Sequence, residues 1–190
     1  MVDKVSKIIN LNDFGFDKIK NAADKAEAKK EVGDLIVNEI LRYVQDGTSP
    51  VSGYGGFTEL STEYAKQQKG GNKKPNLELN GDLLDALEFK TGRGDQIEFG
   101  IFKSSQVPKA DGHNNFSGDS NLPLRRFIPD ENESLKRDIE SKIKTIINDY
   151  ASGREDLGLL QDIEQEVVSQ GLSLSDVLGS SFLQDFLDGI

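Results

Sequence analysis

Ala86-Leu87-Glu88-Phe89-Lys90-Thr91-Gly92-Arg93-Gly94-Asp95-Gln96-Ile97-Glu98-Phe99-Gly100-Ile101 is the stretch that sets the fold class. Leu87 and Phe89 alternate with Glu88 and Lys90, and Ile97, Phe99 and Ile101 alternate with Glu98 and Gly100. That is the period of a half-buried strand. Thr91-Gly92-Arg93-Gly94-Asp95 lies between the two runs and supplies the turn. The spacing predicts an antiparallel hairpin with strands over about 86–91 and 96–102.

Downstream, residues 103–121 are rich in Gly, Asn, Ser and Asp and read as a long loop, a feature that compact domains keep for function or mobility. Leu122-Pro123-Leu124-Arg125-Arg126-Phe127-Ile128-Pro129 follows, a short apolar run bracketed by prolines, and reads as an edge strand. Adjacent strand residues point to opposite faces, so Arg125 and Arg126 are expected on different surfaces. One would meet a neighbouring layer or subunit and the other solvent. Phe127 is assigned to the core under the final helix. That helix is predicted over about 131–150, where Leu135, Ile139, Ile143, Ile146, Ile147 and Tyr150 form one stripe among charges.

Upstream, Val32, Leu35, Ile36, Ile40, Tyr43 and Val44 follow helical spacing, and Ile19–Lys30 favours helix by composition. One helix is expected from about 17 to 45, with Gly33 as a possible break. Residues 51–76 carry six of the glycines and prolines and read as loop, with a short helix capped by Ser61 at 61–66. The expected fold is therefore α+β. A small, mainly antiparallel sheet (86–91, 96–102 and 122–128) packs against two long helices, near 32–45 and 133–150. The expected organisation is a helical arm over 1–30, an α+β core over 31–150 and an acidic helical C-terminal extension over 151–190.

Composition narrows the function. The 190 residues carry a net charge of −10 and no cysteine. Disulfides, thiolate metal sites and cysteine nucleophiles are thereby excluded. An acidic chain is ill suited to general nucleic-acid binding, which needs clustered Lys and Arg, though it would suit a passage through which DNA slides without sticking. No apolar run has the length of a bilayer span, and the first ten residues lack the apolar core of a signal peptide. A soluble protein made in the cytoplasm is expected. Residues 154–190 hold eight acidic side chains against the single Arg154, so −7 of the total charge lies there. Their apolar residues, among them Phe182 and Phe186, are too many for a solvated tail. They dock either on the chain's own core or in a partner's groove.

Candidate chemistry is sparse. His113 is the one histidine; with Asp111 it could serve a small hydrolase, but no Gly-x-Ser-x-Gly elbow accompanies it. A surface-loop or interface role outweighs this, because a catalytic site needs several convergent groups. Asp111, Asn114, Asn115, Ser117 and Asp119 could offer oxygen ligands, without the order of an EF-hand. The Lys66–Lys74 loop is the main basic cluster. It lacks the Ser or Thr of a phosphate-binding loop and has one adjacent aromatic, Tyr64, too few for base stacking. It reads as a solvated loop or as an arm whose Lys73 and Lys74 meet an acidic neighbour. No cofactor or metal is implied.

Taken in order, several pieces of the chain resemble the virion morphogenesis, or neck and tail-completion, family of tailed bacteriophages. They are Phe57-Thr58-Glu59-Leu60-Ser61, Asn76-Leu77-Glu78-Leu79-Asn80-Gly81-Asp82-Leu83-Leu84, the two strands, the Lys109–Gly118 segment around His113, and the Arg125-Arg126-Phe127 run before a helix. The resemblance covers about residues 32–150. Asn80 stands where the family has Thr, and Leu124-Arg125-Arg126 where it has Ala-Arg-Pro. The resemblance implies a structural, non-enzymatic subunit of a homo-oligomeric ring in the virion neck, joining portal- and adaptor-side proteins to the tail. It implies no membrane and no specific nucleic acid as partners. Its contact residues would be His113, Arg125, Arg126, Lys73, Lys74, Phe182 and Phe186. The alternatives left open are the His113–Asp111 hydrolase and a nucleic-acid binder using Lys66–Lys74.

Overall fold

The hairpin is present in the computed structural model, which describes residues 3–75, 77, 82–115 and 123–153. Backbone packing divides the chain into two units, Met1–Asn148 and Asp149–Ile190. Within the first unit the elements run β1 (Val5–Asn10), α1 (Ala22–Gln45), α2 (Thr62–Gln68), β2 (Leu87–Thr91), β3 (Gln96–Ile101) and α3 (Val107–Asn114). A further helix, α4, spans Arg137–Ala151. Of the second unit, only the end of α4 and the turn to Gly153 fall among the described residues. The expected C-terminal helices, with Phe182 and Phe186, lie outside them.

The fold is α+β, with one three-stranded antiparallel sheet in the order β1-β3-β2. Its third strand is not the expected one. β1 comes from the N-terminal segment that was read as a helical arm, and it pairs Val5 with Ile101 through Asn10 with Gln96. Two short 3-10 turns, Leu11–Phe14 and Phe16–Lys18, then lead into α1. Period-two alternation sorts the sheet's faces. Val5, Leu87, Ile97, Phe99 and Ile101 are buried on the inner face. Ser6 and Lys4 meet Glu98 on the outer face, with Ser6 Oγ 2.6 Å from its carboxylate.

α1 begins where Asn21 caps it, its side chain accepting the Ala23 N–H at 2.9 Å. Ala28, Val32, Ile36, Ile40 and Val44 recur at i, i+4 and form its fully buried stripe. The helix starts at Ala22 rather than 17 and does not break at Gly33. The glycine answers a packing demand instead: a Cβ there would lie 2.3 Å from the Phe89 ring. α2 is capped by Ser61, whose Oγ accepts the Tyr64 N–H, as expected. Ile139, Ile143 and Ile147 form the buried stripe of α4.

A polar clasp joins α1 to α4. Buried Glu39 accepts from Arg42 Nη2 at 2.7 Å and from Lys142, and Tyr43 donates to Asp138 at 2.7 Å. Burial alone would raise the Glu39 carboxyl, but the hydrogen bonds from Lys142 and Arg42 outweigh it and hold the group below its ordinary range. No helix among the described residues is long and apolar enough to cross a membrane.

Candidate functional site

The arginine-bearing run is not the expected edge strand: residues 123–129 pair with no strand among the described residues, and the chain bends at Ile128. The position beside β3 that such a strand would need is held by β1 on one side and β2 on the other. The backbone of the run must therefore find partners elsewhere, and α3 provides most of them. The segment expected as loop up to residue 121 folds into α3 over Val107–Asn114, with Pro108 in its first turn, where the missing N–H costs nothing.

Asn114, at the C-terminal end of α3, acts in place of a neighbouring strand. Its Oδ1 accepts from Phe127 N at 2.9 Å and from Ile128 N at 2.8 Å, and its Nδ2 donates to Ile128 O at 3.0 Å. The Arg125 N–H donates to His113 O at 2.7 Å. From the other side Ser49 Oγ donates to Arg126 O at 2.6 Å and accepts the Val51 N–H at 3.1 Å. Phe127 and Ile128 are fully buried, so each of these bonds satisfies a group that water cannot reach. Phe127 is a core residue, as expected.

The two arginines have different partners, and both are held within the chain; neither faces solvent, as one of them was expected to. Arg125 is 6% exposed and donates from Nη2 to Thr58 O at 3.3 Å; its Nε has no partner among the described residues. Burial pushes its guanidinium below the ordinary value. Arg126 donates from Nη1 to Asn115 Oδ1 at 2.7 Å and stands over the Tyr54 ring at 5.6 Å. Its Nε lies 3.3 Å from Glu133 Oε2, an ion-pair contact rather than an aligned hydrogen bond. Tyr54 OH donates to Glu133 Oε1 at 2.9 Å, and Glu133 Oε2 accepts the Asp130 N–H at 2.7 Å. Arg126 thus ties α3, the loop at Tyr54 and the turn before α4 into one knot.

His113 is not a surface-loop residue: α3 carries it into the interior, 9% exposed, with Nδ1 unpartnered among the described residues. Burial, then the nearby charges of Arg125 and Lys109, push its imidazole down to about 4. It is neutral at pH 7. Asp111, two residues earlier on the same helix, points elsewhere and its Oδ1 accepts from Asn115 at 2.7 Å. The structure therefore does not assemble the His113–Asp111 pair that a hydrolase would need. Asn114 and Asn115 spend their side chains on these internal bonds, which removes them as cation ligands; Ser117 and Asp119 lie outside the described residues. Among the described residues no three His, Asp or Glu side chains gather at a metal-binding spacing.

Of the expected contact residues, Arg125 and His113 are buried and Arg126 is largely enclosed within this chain. The reason is α3: a helix in place of a loop turns His113 inward and gives the arginine run a seat. Lys73 and Lys74 remain exposed, and Lys74 Nζ lies 3.7 Å from Asp46 Oδ1. Such an exposed pair holds the loop only weakly. Sequence reasoning missed Asn114 and Ser49 as fasteners, since single polar residues next to apolar runs carry no periodic signal. No protein-family model matches the chain, and neither a curated protein nor a solved structure matches it.

Proposed function

We propose that this chain is a structural, non-enzymatic subunit of the neck of a tailed bacteriophage, acting as one member of a homo-oligomeric ring between portal-side and tail proteins. The observation that carries this reading is the ordered series of motifs ending in Arg125-Arg126-Phe127 ahead of α4. The role of that run gains a physical rationale from its environment. Fastened by Asn114, Ser49 and Arg126, it makes a stiff strut between α3 and α4 without belonging to the sheet. A ring subunit must hold its shape while many weak contacts act together, and internal knots of this kind supply that stiffness.

In this reading the acidic residues 154–190 form the assembly element. They bring −7 of the chain's charge to a basic surface on a neighbour, and the association should weaken and slow as salt rises. The test is mass photometry and negative-stain microscopy of the purified chain, alone and with portal- and tail-side proteins of the same phage. Closed rings, or a defined complex lost when the chain is ended at Gly153, are expected. A chain that stays monomeric at all concentrations and adds to no neck assembly would refute the proposal. So would turnover of a defined substrate that disappears with His113→Ala while the fold persists.

A further inference from the structure

We infer that the open edge of β1 is a docking site for an extended, basic strand from another protein chain, which would join the sheet as a fourth strand. This inference does not depend on the neck reading.

The backbone geometry comes first. Leu11 N donates to Asp95 O at 2.8 Å, and these two residues continue the β1–β3 register. In an antiparallel pair the bonded residues alternate. Val5, Lys7, Ile9 and Leu11 therefore direct their N–H and C=O groups at β3. Ser6, Ile8 and Asn10 direct theirs outward. The opposite side of β3 agrees: Gly92 N donates to Gln96 O at 3.0 Å, so the even-numbered residues of β3 serve β2. Among the described residues the outward N–H and C=O groups of Ser6 and Ile8 and the N–H of Asn10 have no backbone partner, while the Asn10 C=O turns into the 3-10 turn that Asn10 caps. These unspent groups form a template for another strand.

Proteins usually blunt such an edge with a charge, a proline or a bulge; β1 has no proline or bulge, and its one charge is Lys7. Its central outward residue is Ile8, 53% exposed. Lys7 does not guard the edge: its Nζ donates to Asp130 O at 2.8 Å and Glu131 O at 2.7 Å. Beside β1 runs a groove of about 350 Å³, with Ile8, Ile9, Phe14, Pro129, Leu135 and Ile143 as its apolar lining. An added strand would bond to Ser6, Ile8 and Asn10 and send alternate side chains into this lining, the strand-addition mode of recognition.

Charge selects the occupant. Four ionisable side chains other than Lys7 could bear on it, and two of them are uncommitted. Glu133 is taken up by Arg126, Tyr54 and Asp130 N, and Glu98, behind the edge, by Lys4 and Ser6. The side chains of Asp13 and Glu140 line the groove and make no hydrogen bond or ion pair among the described residues. Even with Lys7 counted, whose partners are uncharged carbonyls, these two carboxylates leave the groove negative. It disfavours the chain's own acidic residues 154–190 and favours an apolar strand carrying Lys or Arg.

The test uses the full chain and a capped seven-residue peptide, Lys-Val-Thr-Val-Thr-Val-Lys, followed by amide chemical shifts and hydrogen exchange. Saturable shifts and new protection at the Ser6, Ile8 and Asn10 amides are expected. The same peptide with backbone N-methylation on alternate residues should bind at least tenfold more weakly, as should its glutamate-for-lysine version. Ile8→Pro removes an outward donor while leaving the β1–β3 bonds in place, and Glu140→Gln removes the charge at nearly the same size and shape; each should weaken binding about tenfold. Absence of saturable shifts at these amides would overturn the inference, as would equal binding of the N-methylated peptide. Concentration-dependent protection of Ser6, Ile8 and Asn10 without peptide would also overturn it, because the occupant would then be a second copy of this chain.

Discussion

Replacing Asn114 by alanine removes three hydrogen bonds with one substitution. Phe127 N–H, Ile128 N–H and Ile128 C=O lose their partner together, at residues with no solvent exposure. A buried backbone group left unsatisfied costs about 1–3 kcal/mol. A water entering the space vacated by the carboxamide would recover part of this, which places the expected loss near the lower bound for three groups, about 3–5 kcal/mol. That is a large share of the roughly 5–15 kcal/mol by which a domain is stable. Urea denaturation should show a lowered midpoint at unchanged slope. Amide exchange adds a local readout: the Phe127 and Ile128 amides should lose protection by more than the global change. Asn114→Asp keeps the two acceptor contacts but sets a carboxylate against Ile128 O, so it should fall between wild type and alanine only at low pH, where the acid is protonated. A loss under about 1 kcal/mol for Asn114→Ala, with exchange at 127 and 128 unchanged, would refute the view that this side chain stands in for a strand.

Since the chain has one histidine, a single imidazole resonance reports on His113, and it should titrate near 4 in the folded protein against about 6.5 unfolded. The folded value is the lower one, so the unfolded chain binds the proton first; the contribution is full above pH 6.5 and is lost as pH falls to about 4, a difference of about 3 kcal/mol. Titration near 6.5 in the folded state would show that the ring is solvated. Gly100→Ala should cost about 3 kcal/mol or more by overpacking, because its Cβ would lie 2.2 Å from Val5 O and 2.6 Å from Ser6 Cα, backbone atoms that cannot step aside without parting β1 from β3; unchanged thermal stability would contradict the close approach. Gly33→Ala gains about 1 kcal/mol of helix propensity against about 1–3 kcal/mol of crowding on Phe89, so its net effect in the same denaturation assay should be destabilising but smaller than that of Gly100→Ala.

Local periodicity was enough for the hairpin, α2 and the bodies of α1 and α4, but it began α4 too early: the helix starts at Arg137, and Leu135 bridges to Val51 instead. The alternation of Leu87, Phe89, Ile97, Phe99 and Ile101, the Ser61 cap and the isoleucine stripe of α4 each depend on residues within a turn or two of one another. The burial of Phe127 was legible for the same reason, whereas the strand expected there is not formed over residues 123–128. What those residues would bond to was not legible. β1 meets β3 across about ninety positions of chain, and Val5-Ser6-Lys7-Ile8-Ile9-Asn10 is too mixed to declare itself a strand. Only in the folded chain does β1 hold the place at β3, leaving the arginine run to the carboxamide of Asn114 and the hydroxyl of Ser49. His113 followed the same logic: its surroundings promised a loop, and the packing of α3 made it a buried, neutral ring. Sequence alone determined the helical or extended state of the strongly periodic segments, because conformational preference is set by near neighbours, but not that of β1 or α3. Tertiary structure decided which donors met which acceptors, because that choice is a competition among groups far apart in the chain.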